Sequence, residues 1–275
     1  MLRGVAALEL KTRVAAGYSQ TALEYDAVAG HAYLMGLRRL LPLVRVPPQP
    51  AILDVGSGTG INLLELARVF GPCRLLVGID LSPGMVAVAG AKAGMAGVVA
   101  VLQEGDAEDI PYPDGTFDLV VANSMYHWVR DRPRAAREFA RVLRAGGQLV
   151  LACATAPGFG EWRALLQSVL THLLGPHAPE AFPDLPSAQE VACSLQAAGF
   201  ALPFFRPIAE RVYVYDPERF VRLMATVAPN WAAGLSPETR RAVEAEAARA
   251  MRRAAPEGFT VTWTAVETVG TKVAG

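Results

Sequence analysis

The sequence of 275 residues predicts a doubly wound α/β fold, in which a mixed β-sheet carries helices on both faces and a helical cap. Three observations predict this fold. Short apolar runs alternate with helical patterns between residues 51 and 154, the runs are apolar throughout, and Gly or Pro residues separate them. The alternation is typical of strands joined by crossover helices, and uninterrupted apolar runs indicate strands that are buried on both faces. Residues 1–275 are therefore expected to form a single domain.

The central segment, residues 50–154, supplies the first five predicted strands. Ser82 and Asp131 can cap two of the intervening helices, and Gly146-Gly147 is expected to end the second of these. The strands are expected over residues 51–55, 75–79, 98–102, 117–122 and 148–154.

The regular alternation of strands and helices changes on either side of this segment. Helices are expected over residues 187–198, 217–228 and 237–254, and further strands over 212–215 and 259–269. Long insertions outside the regular strands and helices of a fold often carry functional residues. We therefore divide the rest of the chain into an N-terminal helical cover (residues 1–46), two cap insertions (155–186 and 216–256) and the remainder of the sheet scaffold (187–215 and 257–275).

Composition limits the possible partners. The chain has 26 Lys and Arg against 26 Asp and Glu, so neither nucleic acid nor an anionic membrane surface is expected as a partner. No segment has the ~20 continuous apolar residues of a membrane span, and charged residues near the start argue against a secretory signal. Three dispersed cysteines indicate reduced thiols and a cytoplasmic location. The protein is expected to be a monomer or a homodimer.

The strongest local motif is Asp54-Val55-Gly56-Ser57-Gly58-Thr59-Gly60, which follows a buried strand and opens a helix. Glycines let a ligand approach the backbone closely, and a helix start offers free N–H groups. The glycine spacing differs from the GxGxxG of pyrophosphate-binding loops, and the carboxylate of Asp54 favours a cationic group instead. Asp80 ends the next strand, where an acid accepts hydrogen bonds from ribose hydroxyls. The predicted ligand is a nucleoside with a positively charged tail.

These features resemble the class I S-adenosylmethionine-dependent methyltransferases, and in particular the methyltransferase type 11 group that includes ubiquinone- and menaquinone-type members. The resemblance covers about residues 50–154. It includes a stretch similar to the family's lead into its fourth strand, residues 110–118, and one similar to its turn into the fifth, residues 141–147. The resemblance implies S-adenosyl-L-methionine as the cofactor and a small-molecule acceptor.

The resemblance also implies roles for individual residues. The glycine-rich stretch would hold the methionine part of the cofactor, Asp80 the ribose hydroxyls, and a "YDxxA" helix that begins at Tyr25 would fold over the top. Further contacts to adenine would come from the residues after the second and third strands. The complete set of implied cofactor-binding residues is Tyr25, Asp54, Gly56, Ser57, Gly58, Gly60, Asp80, Leu81, Met85, Asp106, Ala107 and Asn123.

Methyl transfer from a sulfonium is an in-line displacement, for which a protein supplies alignment, desolvation and sometimes a base. His127 is the histidine nearest the expected methyl group, and a neutral imidazole accepts a proton near pH 7. Tyr126 is a weaker catalytic candidate. The alternative for His127 is a structural role behind the fourth strand. No Asp, Glu and His cluster has metal-ligand spacing, so no metal is expected.

The predicted function is metal-independent transfer of a methyl group from S-adenosylmethionine to a small, largely apolar metabolite in a capped pocket. An oxygen or carbon acceptor is favoured, because residues 123–126 lack the Asn-Pro-Pro-Tyr motif of enzymes that methylate amide or adenine nitrogens. Three alternatives remain. They are an RNA or protein methyltransferase, a non-methylating S-adenosylmethionine-binding enzyme or sensor on the same fold, and a nicotinamide oxidoreductase, which the glycine spacing disfavours.

Overall fold

The structure is a computed structural model that describes residues 2–180, 182 and 184–273; residues 1, 181, 183, 274 and 275, which the predicted ranges include, lie outside it. The strands are β1 (Ala51–Val55), β2 (Leu75–Asp80), β3 (Val101–Glu104), β4 (Phe117–Asn123), β5 (Leu143–Ala154), β6 (Phe200–Val214) and β7 (Phe259–Lys272). The helices are α1 (Leu2–Thr21), α2 (His31–Leu40), α3 (Ile61–Phe70), α4 (Pro83–Met95), α5 (Arg132–Val142), α6 (Gly160–Leu174), α7 (Ala188–Ala197), α8 (Pro217–Val227) and α9 (Pro237–Ala254).

The strands form one sheet in the order β3-β2-β1-β4-β5-β7-β6. Strands β1 to β5 are parallel, and β7 runs antiparallel to both of its neighbours. The chain winds outward from β1 towards β3 and then returns to β4 on the other side. This reversal opens a crevice beyond the carboxyl ends of β1 and β4, which is where ligands bind in such sheets. The predicted doubly wound mixed sheet is confirmed.

The central strands are buried on both faces, as their uninterrupted apolar sequences predict. Alternate residues of a strand face opposite sides of the sheet. Leu53 of β1 therefore packs in the core that contains α5 and α7, whereas its neighbour Ile52 packs in the core that contains α2 and α3. Ser82 and Asp131 cap α4 and α5 as expected, because their side chains accept hydrogen bonds from the backbone N–H groups of Met85 and Arg134.

A third core lies away from the sheet centre, in the cap. Helices α6, α8 and α9 bury Trp162, Met224 and Met251 against one another, and Trp231, from the turn between α8 and α9, joins them. None of the helices in the described part of the chain is both long and apolar enough to cross a membrane. The division of the chain into cover, core and cap ranges stays a prediction.

The predicted bounds of two parallel strands were wrong. The third strand begins at Val101 instead of residue 98, because residues 96–98 close the end of α4: the N–H groups of Gly97 and Val98 donate to the carbonyls of Gly94 and Ala93. Helix α5 ends at Val142 rather than at the Gly146-Gly147 pair. These glycines lie in a register shift of β5 against β4, where pairing moves from residue 143 to residue 148.

The sixth strand is much longer than the predicted residues 212–215. It spans fifteen residues and pairs with β7 along its length, with a register shift between Ala201 and Phe204. Its sequence was not recognised as a strand because Pro203, Pro207 and several charged residues interrupt the apolar pattern. It is the edge strand of the sheet, where proline and charge are tolerated because one row of backbone groups needs no partner strand.

Candidate active site

A cavity of about 110 Å³ lies at the carboxyl ends of β1, β2 and β4, and we call it the loop cavity because the glycine-rich loop forms its floor. Among its lining residues are most of those that the sequence predicts: Tyr25, Gly56, Ser57, Gly58, Asp80, Leu81, Met85, Asp106, Ala107 and Asn123. Other lining residues, among them Lys11, Thr59 and Asn62, were not predicted individually. Ser124, Met125 and Trp128, which follow β4, also line this cavity.

The loop needs its glycines for two different reasons. Gly58 has a φ of +53° and no atom within 4 Å of the position that a Cβ would take, so a side chain there would project into open space. Gly60 has a φ of +78° and does not line the cavity. A Cβ on Gly60 would lie 3.0 Å from the Cβ of Ala89, so this glycine lets α3 pack closely against α4. Gly60 thus has a packing role, and its predicted ligand contact stays a prediction.

Asp80 fixes the shape of the loop. One carboxylate oxygen accepts the N–H of Gly58 at 2.9 Å, and the other accepts the N–H of Ser82 at 2.9 Å. Burial raises the pKa of Asp80, and these two hydrogen bonds act in the opposite direction. Each carboxylate oxygen can accept a further hydrogen bond, so the group can hold the loop and still bind hydroxyls in the cavity.

Asp54 lies beneath the loop and does not line the cavity, contrary to the prediction of a direct contact. Its side chain is fully buried, and neither carboxylate oxygen has a hydrogen-bond partner in the part of the chain that the structure describes. Burial raises the pKa of Asp54 well above its ordinary value, and the nearby Asp80 raises it further. The Oγ of Ser57 is likewise buried without a partner. Unpartnered buried groups of this kind are rare without a ligand.

Two ion-pair clusters join the N-terminal segment to the walls of the loop cavity. In the first, the Nζ of Lys11 lies 2.6 Å from Asp106 and 2.7 Å from Glu108. Burial alone would lower the pKa of Lys11, but the hydrogen bonds to the two carboxylates outweigh it and the pKa is raised. Sequence reasoning missed Lys11, since nothing in its surroundings marks a lysine that pairs with residues almost one hundred positions away.

In the second cluster, Asp26 accepts a hydrogen bond from the Oγ1 of Thr59 at 2.5 Å and forms an ion pair with Lys92. Asp26 begins a short π-helical turn, and Thr59 belongs to the glycine-rich loop. Tyr25 precedes this turn and packs against Tyr18, with ring centroids 6.0 Å apart. The cluster therefore holds the predicted cover residue Tyr25 against the cavity.

A second cavity, of about 360 Å³, lies between the sheet and the cap, and we call it the cap cavity. Asn123, Ser124 and Trp128 line both cavities and so form the junction between them. Its wall is mainly apolar and includes Phe159, Phe182, Leu185, Phe220, Leu223, Met224, Val227, Trp263 and Val266.

Two residues at this junction have unusual features. Ser124 is a non-glycine residue with a φ of +63°, and strained backbone of this kind is concentrated at functional sites. The Nε1 of Trp128 is buried and has no hydrogen-bond partner among the described residues. A donor left unpaired in this way costs about 1–3 kcal/mol, a cost that a hydrogen bond to a bound ligand would remove.

His127 lines the cap cavity and not the loop cavity. Its Nδ1 lies 3.4 Å from the N–H of Ala154, which can donate to it. Burial, with a smaller contribution from the positive charge of Arg132, lowers the pKa of His127 to about 3. The imidazole is therefore neutral at pH 7, and it is poorly matched to accept a proton there. A catalytic role for His127 stays a prediction.

The structure argues against the second catalytic candidate. Tyr126 is fully buried in the core beside Phe139 and lines neither cavity. Its hydroxyl donates to the carbonyl of Arg132 at 2.9 Å and shares a hydrogen bond with Ser194 at 3.0 Å. Burial is the main cause that raises the pKa of Tyr126 to about 12. Tyr126 is a core residue, and its position next to His127 in the sequence is misleading.

Comparison with known proteins agrees with this geometry. A family model described as "Methyltransferase domain" matches residues 53–151. Nocamycin O-methyltransferase of Saccharothrix syringae is 33% identical over 252 residues, which cover 82% of this chain and 86% of that protein. Malonyl-acyl-carrier-protein O-methyltransferase of Geobacter sulfurreducens is 32% identical over 267 residues, which cover 94% and 98%. The chain belongs to the S-adenosylmethionine-dependent methyltransferases.

Other methyltransferases and related folds extend this result. Demethylmenaquinone methyltransferase of Thermus thermophilus is 30% identical over 204 residues, 68% of this chain and 92% of that protein. The YcgJ protein of Bacillus subtilis has a similar fold, with a TM-score of 0.63 at 21% identity over 88% of this chain and all of that one. A 4+2 cyclase also shares the fold, with a TM-score of 0.58 at 24% identity over 89% and 82% of the chains.

The residues of this methyltransferase fit its cofactor. The unpartnered carboxylate of Asp54 lies next to Val55, which lines the cavity, and it suits a ligand that brings positive charge. Open space above Gly58 gives room for a ligand against the backbone, and Asp80 supplies acceptors for hydroxyls. The predicted family, enzyme class and cofactor are confirmed.

Proposed function

We propose that this methyltransferase transfers a methyl group from S-adenosylmethionine to the oxygen or carbon of a small, largely apolar metabolite. The observation that carries the proposal is the cap cavity, which is mainly apolar, lies between the sheet and the cap and shares three lining residues with the loop cavity. Its volume of about 360 Å³ is in the range of small-molecule sites. The names of two relatives, both O-methyltransferases, support oxygen as the acceptor atom.

The loop cavity is the proposed cofactor site. Asp80 would bind the ribose hydroxyls, Leu81 and Met85 would flank the adenine, and Tyr25 would cover the ligand. When bound, the cofactor supplies an activated methyl group. Asp54 would act through its charge from beneath the loop. The remaining proposed contacts come from Asn123, from the glycine-rich loop and from the residues after β3, which are Gly56, Ser57, Gly58, Asp106 and Ala107.

The chain's own residues would promote the reaction by alignment and by exclusion of water. Asn123, Ser124 and Trp128 stand between the two cavities and would orient the acceptor towards the cofactor site. The amide of Asn123 is itself held by Asn62, whose Oδ1 accepts its Nδ2 at 3.2 Å. His127 is neutral and would act as a wall of the acceptor site. The proposal includes no metal, and the residues that the structure describes contain no group of three or more His, Cys, Asp or Glu able to hold one.

An isotope experiment tests the proposal. The protein is incubated with S-adenosylmethionine labelled in the methyl group and, in separate reactions, with metabolite, RNA and protein fractions of one bacterial extract. We expect label in apolar small molecules. Label in RNA or protein would instead support a macromolecular acceptor, and cofactor binding without any labelled product would support a non-methylating enzyme or sensor.

Calorimetry with S-adenosylhomocysteine and with NAD is the companion measurement. We expect binding of S-adenosylhomocysteine alone, because Asp54 and Asp80 place two carboxyl groups near the glycine-rich loop. Binding of NAD alone would contradict the cofactor site as well as the acceptor.

A further inference from the structure

A charged cluster lies in the wall of the mainly apolar cap cavity. Glu267 of β7 is only 3% exposed, and both of its carboxylate oxygens are engaged by arginines. Arg39 of α2 donates from Nη2 to Oε1 at 2.5 Å, and Arg206 of β6 donates to Oε2. Arg39 and Glu267 line the cavity, whereas Arg206 does not. One buried carboxylate is thus shared by two guanidinium groups, which leaves the cluster with an excess of positive charge.

The register of the sheet fixes where this cluster lies relative to the reaction site. Asn123 pairs with Ala152 of β5, Ala152 pairs with Glu267, and Glu267 pairs with Arg206. Residues directly opposite one another in a sheet point to the same face. Since neighbouring strands are about 4.8 Å apart, Glu267 stands roughly 10 Å from Asn123 at the junction of the two cavities. The cluster therefore lies on the same face of the sheet as Asn123, two strands away from the junction.

Arg39 has the capacity to bind a ligand. Its guanidinium carries five N–H donors, and only Nη2 is used within the residues that the structure describes. The side chain is 45% exposed. Gly36, one turn earlier in α2, also lines the cavity, and a Cβ there would lie 3.8 Å from Arg39 Nη2 and 4.0 Å from Glu267 Oε1. Glycine within a helix costs roughly 1 kcal/mol relative to alanine, so this glycine keeps the space beside the cluster open at some cost.

We propose that the acceptor carries a carboxylate at the end remote from the methylated atom, and that Arg39 binds this carboxylate in the cap cavity. The inference rests on the proposed function, because it takes the cap cavity to be the acceptor site. It narrows the substrate class to apolar acids with roughly 10 Å between the acidic group and the position that receives the methyl group.

The test uses three probes that share one apolar skeleton: 4-phenylbutyrate, 4-phenylbutanol and 4-phenylbutylamine. Each is titrated calorimetrically into the whole protein saturated with S-adenosylhomocysteine. Quenching of tryptophan fluorescence reports entry into the cavity, because Trp128 and Trp263 line it. We expect the carboxylate to bind at least about tenfold more tightly than the alcohol, as a charge-assisted hydrogen bond allows, and the amine to bind most weakly.

Two matched variants separate binding from structure. Arg39→Met keeps an apolar stem and removes the charge, and we expect it to reduce the preference for carboxylate over alcohol to about one. Arg206→Met breaks the other ion pair of the same Glu267 and lowers the positive charge of the cluster, but it removes no group that lines the cavity, so the preference should fall less than in Arg39→Met. Thermal unfolding measures the structural cost of each variant.

Several results would overturn the proposal: equal binding of carboxylate and alcohol by the unmodified chain, no binding of the carboxylate, tightest binding of the amine, or equal loss of preference in both variants. Its failure is distinguishable from failure of the proposed function. If the chain shows no preference for the carboxylate but labelled methyl still enters small molecules, only the inference that the substrate carries an acidic group is rejected. If no labelled product forms, the proposed methyl transfer itself is rejected, whatever the three probes show.

Discussion

The two cavities meet at three residues, yet their walls are built in opposite ways. The loop cavity draws most of its wall from short continuous stretches at the ends of neighbouring parallel strands, residues 55–59, 80–81 and 105–108 among them. The cap cavity draws its wall from side chains on α2, β5, α8 and β7, which are elements far apart in the sequence. A ligand that contacts backbone groups at strand ends requires a local motif, whereas an apolar ligand requires only that distant side chains pack around a space.

The difference gives the two cavities different sensitivities to mutation. The loop cavity depends on a few polar groups and positive φ angles, so a single substitution should change its affinity strongly. The cap cavity depends on shape and on one charged cluster, so most single substitutions in its wall should act weakly unless they fill the space or remove charge.

The largest expected effect is at the loop. Asp80→Ala removes both acceptors that hold Gly58 and Ser82 as well as the proposed ribose contacts. Loss of two charge-assisted hydrogen bonds, about 3 kcal/mol, should weaken S-adenosylhomocysteine binding roughly 100-fold in calorimetry. Glu104→Gln is the matched control: Glu104 pairs with Asp80 in register, is exposed and does not line the cavity. Equal affinities of Asp80→Ala and the unmodified chain would remove Asp80 from the cofactor site.

The second prediction concerns His127 and the dependence of stability on pH. Its pKa is lowered to about 3 in the folded chain and is near 6.5 when unfolded, so the unfolded state binds the proton more readily. The stabilising contribution is therefore present above pH 6.5 and is lost as the pH falls towards 3, by about 1.4 kcal/mol per pH unit. Urea unfolding at pH 7 and pH 5 should show the unmodified chain losing about 2 kcal/mol more than His127→Gln. The same loss in both proteins would show that His127 is protonated readily in the fold.

The third prediction separates Tyr126 from its neighbour. Tyr126→Phe removes a hydroxyl that bonds to Arg132 and Ser194 but leaves the ring in the core. We expect a loss of about 1 kcal/mol in the free energy of unfolding, with cofactor affinity and methyl transfer unchanged. A tenfold fall in transfer at unchanged stability would return Tyr126 to the catalytic site.

The smallest effect is expected at the cover. Lys11→Met removes the ion pairs to Asp106 and Glu108, and partly exposed pairs contribute little. S-adenosylhomocysteine binding should weaken by about threefold at low salt, and the difference should shrink at 1 M salt because the charges are screened. Glu218→Gln breaks an exposed cap pair with Arg252 and should leave the affinity unchanged. A Lys11→Met effect that persists at high salt would point to a direct contact between Lys11 and the ligand.

The same contrast explains how much the sequence could predict. Local sequence patterns predicted the positions of the loop motif, of Asp80 and of the residues after β3, because strand ends and helix starts have fixed geometry. Lys11 and Arg39 have no such pattern, since their roles depend on packing across long sequence separations. Gly60 belongs to the glycine-rich motif and also packs closely against α4. Tyr126 belongs to no motif of this kind, and its side chain lies in the core.

The strands show the same limit. Central strands were recognisable because burial on both faces demands apolar residues throughout. The edge strand β6 was not, because only part of its surface is buried and its prolines are tolerated at an edge. The proposed acceptor site was hard to predict from the sequence for the same reason, because β7 lines the cap cavity and pairs with β6.

The most direct test of the two-cavity account is Ala154→Leu, measured both for S-adenosylhomocysteine affinity and for transfer of labelled methyl to the metabolite fraction. Ala154 lines the cap cavity but not the loop cavity, so the larger side chain should occupy acceptor space only. We predict unchanged cofactor affinity and at least about a tenfold loss of transfer, the scale expected when a side chain fills a substrate pocket. Unchanged transfer, or a loss of cofactor affinity as large as that of Asp80→Ala, would contradict the account.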